Sequence, residues 1–137
     1  MDSMLSWAAR ATPATTVLPA DLTAEGEARR FVARVLSAWQ GTLPFEDATL
    51  IASELVANVV RHAGGAPKLS IASTAGGIRI ECEDGNPLPP RPKAGGPDGG
   101  WGLALVERLS QRWGVRPRGA GKVVWCEMRL PSPHGHG

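Results

Sequence analysis

From Ala24 onward apolar residues recur at helical spacing. Ala28, Phe31, Val32, Val35, Leu36 and Trp39 fall at i, i+3, i+4, i+7, i+8 and i+11, which predicts a core-facing amphipathic helix ending near Gly41. Glu25 and Glu27 in its first turn suit the positive end of the helix dipole. A second helix is expected from about Glu46 to Ala63, after the turn around Pro44, with Ala52, Leu55, Val56, Val59 and Ala63 on one arc. Gly64 and Gly65 accept positive φ just past its end, and Pro67 prevents continuation. Ahead of both helices, Thr15 to Leu18 is short, β-branched and stopped by Pro19, as an edge strand is.

Downstream the period changes from helical to alternating. Leu69 and Ile71 alternate with Lys68, Ser70 and Ser73, and Ile78, Ile80 and Cys82 alternate with Arg79, Glu81 and Glu83. With Ala75-Gly76-Gly77 between the two runs, the pattern predicts a β-hairpin with one buried face. Residues 84 to 100 then interleave Pro87, Pro89, Pro90, Pro92 and Pro97 with Gly85, Gly95, Gly96, Gly99 and Gly100, which neither a helix nor a central strand tolerates. A loop of about fifteen residues inside a compact domain is usually functional or disordered. A helix comes next, with Leu103, Val106, Leu109 and Trp113 on one stripe and Arg108 and Arg112 on the other. Val115 to Arg118, a turn at Gly119-Ala120-Gly121, and the alternating run Lys122 to Leu130 form a second hairpin. Helices in pairs and strands in hairpins predict an α+β fold, a mostly antiparallel sheet covered on one face by helices. The folded domain is expected over residues 15–131, with a flexible tail at 1–14 and a short tail at 132–137.

Composition narrows the function classes. The 137 residues suit one domain that buries roughly two-thirds of its unfolded surface without a metal or disulfide scaffold. Fifteen basic against thirteen acidic residues leave a net charge of +2, scattered along the chain, so no direct nucleic-acid contact is expected. Cys82 and Cys126 each lie inside an apolar strand, outside metal-ligand spacing, and read as reduced core residues. His134 and His136 fall short of the three or four ligands that zinc needs. No apolar run reaches the length of a membrane span, and no basic flank precedes an apolar core at the N-terminus, so a soluble cytoplasmic protein with no membrane contact is expected.

Candidate chemistry gathers on the second helix. Glu54 and Asn58, four residues apart, share a face with Arg61 and His62 beside them. Two phosphate-binding motifs are excluded. Gly121-Lys122 is followed by Val123 rather than Ser or Thr, and Arg116 stands where the first P-loop glycine would fall; Leu105 occupies the third glycine position after Gly100 and Gly102. Gly99-Gly100-Trp101-Gly102 nevertheless opens a helix, where exposed backbone N–H groups favour an anion. Asp84 ends a strand at the mouth of the loop. Its carboxylate suits an amine donor such as the exocyclic N–H of adenine, and Gly85 leaves room for a flat ring.

In this order the segments resemble a known family. Glu54-x-x-x-Asn58-x-x-Arg61-His62 is similar to the N-box of the histidine-kinase-like (GHKL, Bergerat-fold) ATPases. Asp84-Gly85 is similar to the first glycine box, Gly100 to Leu105 to the second, and the Pro/Gly-rich loop between them to the ATP lid. The resemblance runs from about Pro19 to Leu130 and is strongest to stand-alone anti-sigma factor serine/threonine kinases of the actinobacterial type. It implies a two-layer α/β sandwich, ATP and Mg²⁺ as cofactors, and Glu54 as general base toward a partner's serine hydroxyl. It further implies Asn58 as Mg²⁺ ligand, Arg61 near a phosphate, Asp84 and Gly85 at the adenine, and backbone donors from Gly100, Gly102 and Leu103 to the phosphates. The implied partners are a sigma factor and an anti-sigma factor antagonist, with a homodimer as the assembly. Two positions depart from the pattern: Asn86 replaces the second glycine of the first box, and Val123 stands where relatives usually have a Thr that helps bind adenine. They motivate an alternative, a partner-binding regulator that binds ATP without kinase activity or acts without nucleotide.

Overall fold

The computed structural model describes residues 13–39, 45–63, 65–85 and 103–129. Residues 1–12 of the expected N-terminal tail, the C-terminal tail, nearly all of the Pro/Gly-rich loop, Asn86, Gly100 and Gly102 lie outside these described residues, and Ala14, expected in the tail, opens the first strand. In chain order the elements are β1 (Ala14–Val17), α1 (Ala24–Trp39), α2 (Phe45–Asn58) continued by a π-helical turn (Val59–Ala63), β2 (Lys68–Ser73), β3 (Gly77–Asp84), α3 (Leu103–Leu109), β4 (Arg112–Arg118) and β5 (Gly121–Arg129). The strands form one sheet in the order β1-β2-β3-β5-β4, and every neighbouring pair is antiparallel.

Asp21 caps the turn that leads into helix α1: its carboxylate accepts from the Thr23 backbone N–H at 2.9 Å and from its hydroxyl at 2.6 Å, while the Asp21 carbonyl accepts from Ala24 N–H. These bonds satisfy donors that a helix start leaves open, and the Thr23 bonds hold the Asp21 carboxyl below its ordinary range. Of the predicted stripe, Ala28, Phe31, Val32 and Leu36 are buried in the core, joined by Ala24, while Val35 is partly buried. Helix α2 packs against α1, β3 and α3 and is buried on more of its circumference than its sequence implied, because Ser53, Ala57 and Asn58 are buried along with Ile51, Leu55 and Val56. Its expected α-helical continuation to Ala63 does not occur; from Val59 the chain widens into a π turn.

Alternation divides the sheet into two faces. Leu69, Ile71, Ile78, Ile80, Cys82, Val124, Cys126 and Met128 form the inner face and close the core against the helices. Burial drives the Cys82 thiol well above its usual range and pushes Cys126 up to about 12, so both are inert core groups. The outer face carries a charged ladder. Arg79 donates to Glu81 at 2.8 Å and to Glu127 at 2.7 Å, Arg112 donates to Glu127 at 2.7 Å, and the Arg79 guanidinium lies 4.3 Å from the centre of the Trp125 ring. Hydrogen bonds from Arg112 outweigh burial and hold the Glu127 carboxyl below its ordinary range. Burial alone would raise Glu81, but Arg79 with the charges of Arg118 and Arg116 overcomes it and lowers that carboxyl as well.

One stripe is corrected. Arg112 and Trp113 belong to β4, because α3 ends at Leu109 and the Gln111 N–H donates to the Glu127 carbonyl at 2.8 Å, drawing the chain into the sheet. Since Ile80 is fully buried on the central strand, Ile80→Ala is expected to cost roughly 2–5 kcal/mol in urea unfolding. Leu22→Ala, at a residue 88% exposed, should stay within about 0.5 kcal/mol of wild type. Equal losses at the two sites would contradict this placement of the core.

Candidate functional site

Helix α2 positions the first group of candidates. Glu54 and Asn58, one turn apart in its last two turns, share a face. Glu54 is half-buried and Asn58 is 7% exposed. Among the described residues the Asn58 Oδ1 has no hydrogen-bond partner. An orphaned buried acceptor costs about 1–3 kcal/mol, so a donor or a hard cation that reached this oxygen would be held there. Among the described residues no group of three or more His, Cys, Asp or Glu stands together as a metal cage. A cation at Asn58 would therefore resemble Mg²⁺ in nucleotide sites, which takes one or two protein oxygens and fills its octahedron with phosphate and water.

Arg61 departs from this face. The π turn adds a residue to the helical turn after Asn58, which rotates the succeeding residues away from an unbroken α-helical register. Arg61 is exposed and lines a cleft of about 90 Å³ with Asp21, Leu22, Glu25, Ala57 and Val60, between the end of α2 and the start of α1. Neither Asn58 nor Asp84 lines that cleft.

Asp84 closes β3 and, by alternation from Ile80 and Cys82, faces the inner, helix-covered side of the sheet. Its partner in register is Lys122. The Lys122 Nζ lies 3.1 Å from Asp84 Oδ1 and 3.0 Å from Oδ2, and the side chains are only 6% and 4% exposed. Gly121 sets this corner: a Cβ there would fall 1.9 Å from the Asp84 carbonyl oxygen and 2.7 Å from the Gly85 Cα. Any larger residue would push β5 away from the end of β3. Gly85 itself is exposed, with open space where a side chain would be.

This register corrects the reading of Val123. It pairs with Glu83 and Arg116 on the outer face, so a hydroxyl at that position would point away from Asp84. The residue that stands across from Asp84 is Lys122, which sequence reasoning missed. The available signal was parity, since Lys122 continues the inward-facing series Val124, Cys126 and Met128. Leu103 opens α3, with Gly100 and Gly102 before it outside the described residues. The site therefore presents an orphaned amide oxygen beside a half-buried carboxylate on α2, and a buried carboxylate–ammonium pair at one end of the inner sheet face.

Comparison with known proteins adds a family and a fold. The model of the histidine kinase-like ATPase domain matches residues 18–128. No curated protein matches the chain. The solved structure of the RsbU and RsbW domains of Rv1364c from Mycobacterium tuberculosis aligns with a TM-score of 0.66 at 21% identity, over 87% of this chain and 32% of that one. The chain thus spans about a third of that structure's length, and the likeness is one of fold. No described helix is long and apolar enough to cross a membrane.

Removing one member of a buried ion pair leaves the other charge uncompensated, which typically costs roughly 3–5 kcal/mol. Asp84→Ala is expected to lower unfolding free energy by about that amount in a urea titration at neutral pH. A loss below about 1 kcal/mol would contradict the buried pairing.

Proposed function

The chain belongs to the histidine kinase-like ATPase domain family, and from that premise we propose a nucleotide-dependent regulator of the anti-sigma factor type. In this reading it is a protein serine/threonine kinase that phosphorylates an anti-sigma factor antagonist with Mg-ATP and sequesters a sigma factor. The observation that carries the reading is the buried, unpartnered Oδ1 of Asn58 one turn from Glu54, within the span that matches the family.

Mg-ATP, when bound, supplies the transferable γ-phosphoryl group and neutralises the charge that develops on it. Asn58 Oδ1 would hold the cation, a hard oxygen for a hard ion. Glu54 would serve as the general base that takes the proton from the partner's serine hydroxyl as that hydroxyl oxygen displaces ADP from the γ-phosphoryl group. Asp84 accepts from the adenine amine, and the open space at Gly85 leaves the ring its place. Gly100, Gly102 and Leu103 offer backbone donors to the phosphates by the family pattern. Arg61, whose cleft faces α1, approaches a phosphate only if its side chain turns out of that cleft.

A second reading is favoured by the Asp84–Lys122 pair, because the carboxylate meant for adenine already holds a protein cation. In that reading the chain binds its partner without nucleotide chemistry.

Labelled ATP, Mg²⁺ and candidate antagonists separate the two. The kinase reading predicts label on a serine of one antagonist and a loss of roughly 10²- to 10⁴-fold in rate for Glu54→Ala, the usual worth of a general base. Transfer that survives Glu54→Ala unchanged would sink the assigned role. Partner binding with no transfer and no dependence on nucleotide would establish the second reading instead.

A further inference from the structure

We infer that Lys122 is a second base-contacting residue, donating to the ring nitrogen N1 of adenine while Asp84 accepts from the exocyclic amine. The inference rests on the nucleotide reading above and names how its base is recognised.

The pair is costly to bury. A carboxylate and an ammonium taken out of water lose hydration that their mutual attraction only partly returns, and an apolar pair of similar volume would serve stability as well or better. The inner face around them is apolar, with Cys82 and Val124 next along the same strands. The arginines and Lys68 that pair with Glu81, Glu83 and Glu127 do so on the opposite face, where side chains keep contact with water. Stability therefore does not call for a lysine at position 122.

Chemistry does. With Nζ at 3.0–3.1 Å from both carboxylate oxygens, an acceptor and a donor stand side by side at the sheet end next to Gly85. The Watson–Crick edge of adenine offers the complement, an N6–H donor adjacent to the N1 acceptor. A carboxylate has about four lone-pair positions, so accepting from N6 does not require it to release Lys122. Hypoxanthine reverses the order, placing O6 against the carboxylate and N1–H against the ammonium. The pair thus reads two adjacent atoms where a lone carboxylate reads one. Gly121 fixes the spacing through the close approach of β5 to Asp84.

The test is calorimetric titration with ATP and with 1-deaza-ATP, which keeps the amine and lacks N1. A hydrogen bond from a charged donor is worth roughly 10- to 100-fold in affinity, so the wild-type chain should bind the deaza analogue weaker by about that factor. Lys122→Met should shrink the gap to within about threefold, and inosine triphosphate should bind wild type more weakly than ATP. A purely structural lysine would weaken both nucleotides together and leave their ratio unchanged. A wild-type ratio near one, or a ratio that Lys122→Met does not alter, overturns the inference while the ATP site stands. Absence of binding by any of these nucleotides overturns the site reading and the inference together. The analogue comparison on wild type decides the matter even where Lys122→Met fails to fold.

Discussion

The pairing of β3 with β5 is the constraint on which the structure depends. These two strands lie in the interior of the sheet and run in register from Gly77 opposite Arg129 to Asp84 opposite Lys122. Because side chains alternate, one register choice decides both faces: a slip of one residue would turn Ile78, Ile80 and Cys82 toward water and bury Arg79, Glu81 and Glu83. Glycine guards each end of the pairing. A Cβ on Gly77 would meet the Met128 carbonyl at 1.8 Å, as one on Gly121 would meet that of Asp84. The same contact geometry that closes the core therefore delivers a carboxylate and an ammonium to one corner of its helix-covered face.

Helix α2 is the second half of the arrangement. It packs against α1 and β3, and most of its surface is apolar and buried, so the few polar atoms it carries inward are conspicuous. Ser53 resolves its own burial by donating to the Leu50 carbonyl at 3.0 Å. Asn58 does not: its Oδ1 meets no donor among the described residues, just where the backbone relaxes into a π turn. Turns of this kind occur often at functional sites.

Much of this was legible in the residues themselves. The stripe from Ala28 to Leu36, the two alternating hairpins and the antiparallel α+β fold follow from period alone, because burial of one face imposes it. Trp113 was misplaced because Leu103, Val106, Leu109 and Trp113 keep helical spacing, and only the pull of Gln111 onto Glu127, sixteen residues further on, ends the helix. The π turn was invisible because Val59 and Val60 suit either helix. Lys122 escaped notice for a longer-range reason: alternation puts it on the inner face, but the partner that lets a lysine stay there, Asp84, lies 38 positions away. Glu54, Asn58 and Asp84 became candidates only through their order along the chain and the resemblance it carries, since each taken singly is an ordinary helix or turn residue.

The central claim is that Asn58 and Asp84 serve one nucleotide, the first through its cation and the second through its base. Calorimetric titration of ATP with and without Mg²⁺, on wild type and Asn58→Ala, tests it most directly. Mg²⁺ is expected to tighten binding to wild type by about tenfold or more, a difference of about 1.4 kcal/mol. Asn58→Ala should bind metal-free ATP as wild type does and gain little from Mg²⁺. An undiminished Mg²⁺ effect in Asn58→Ala would contradict the claim.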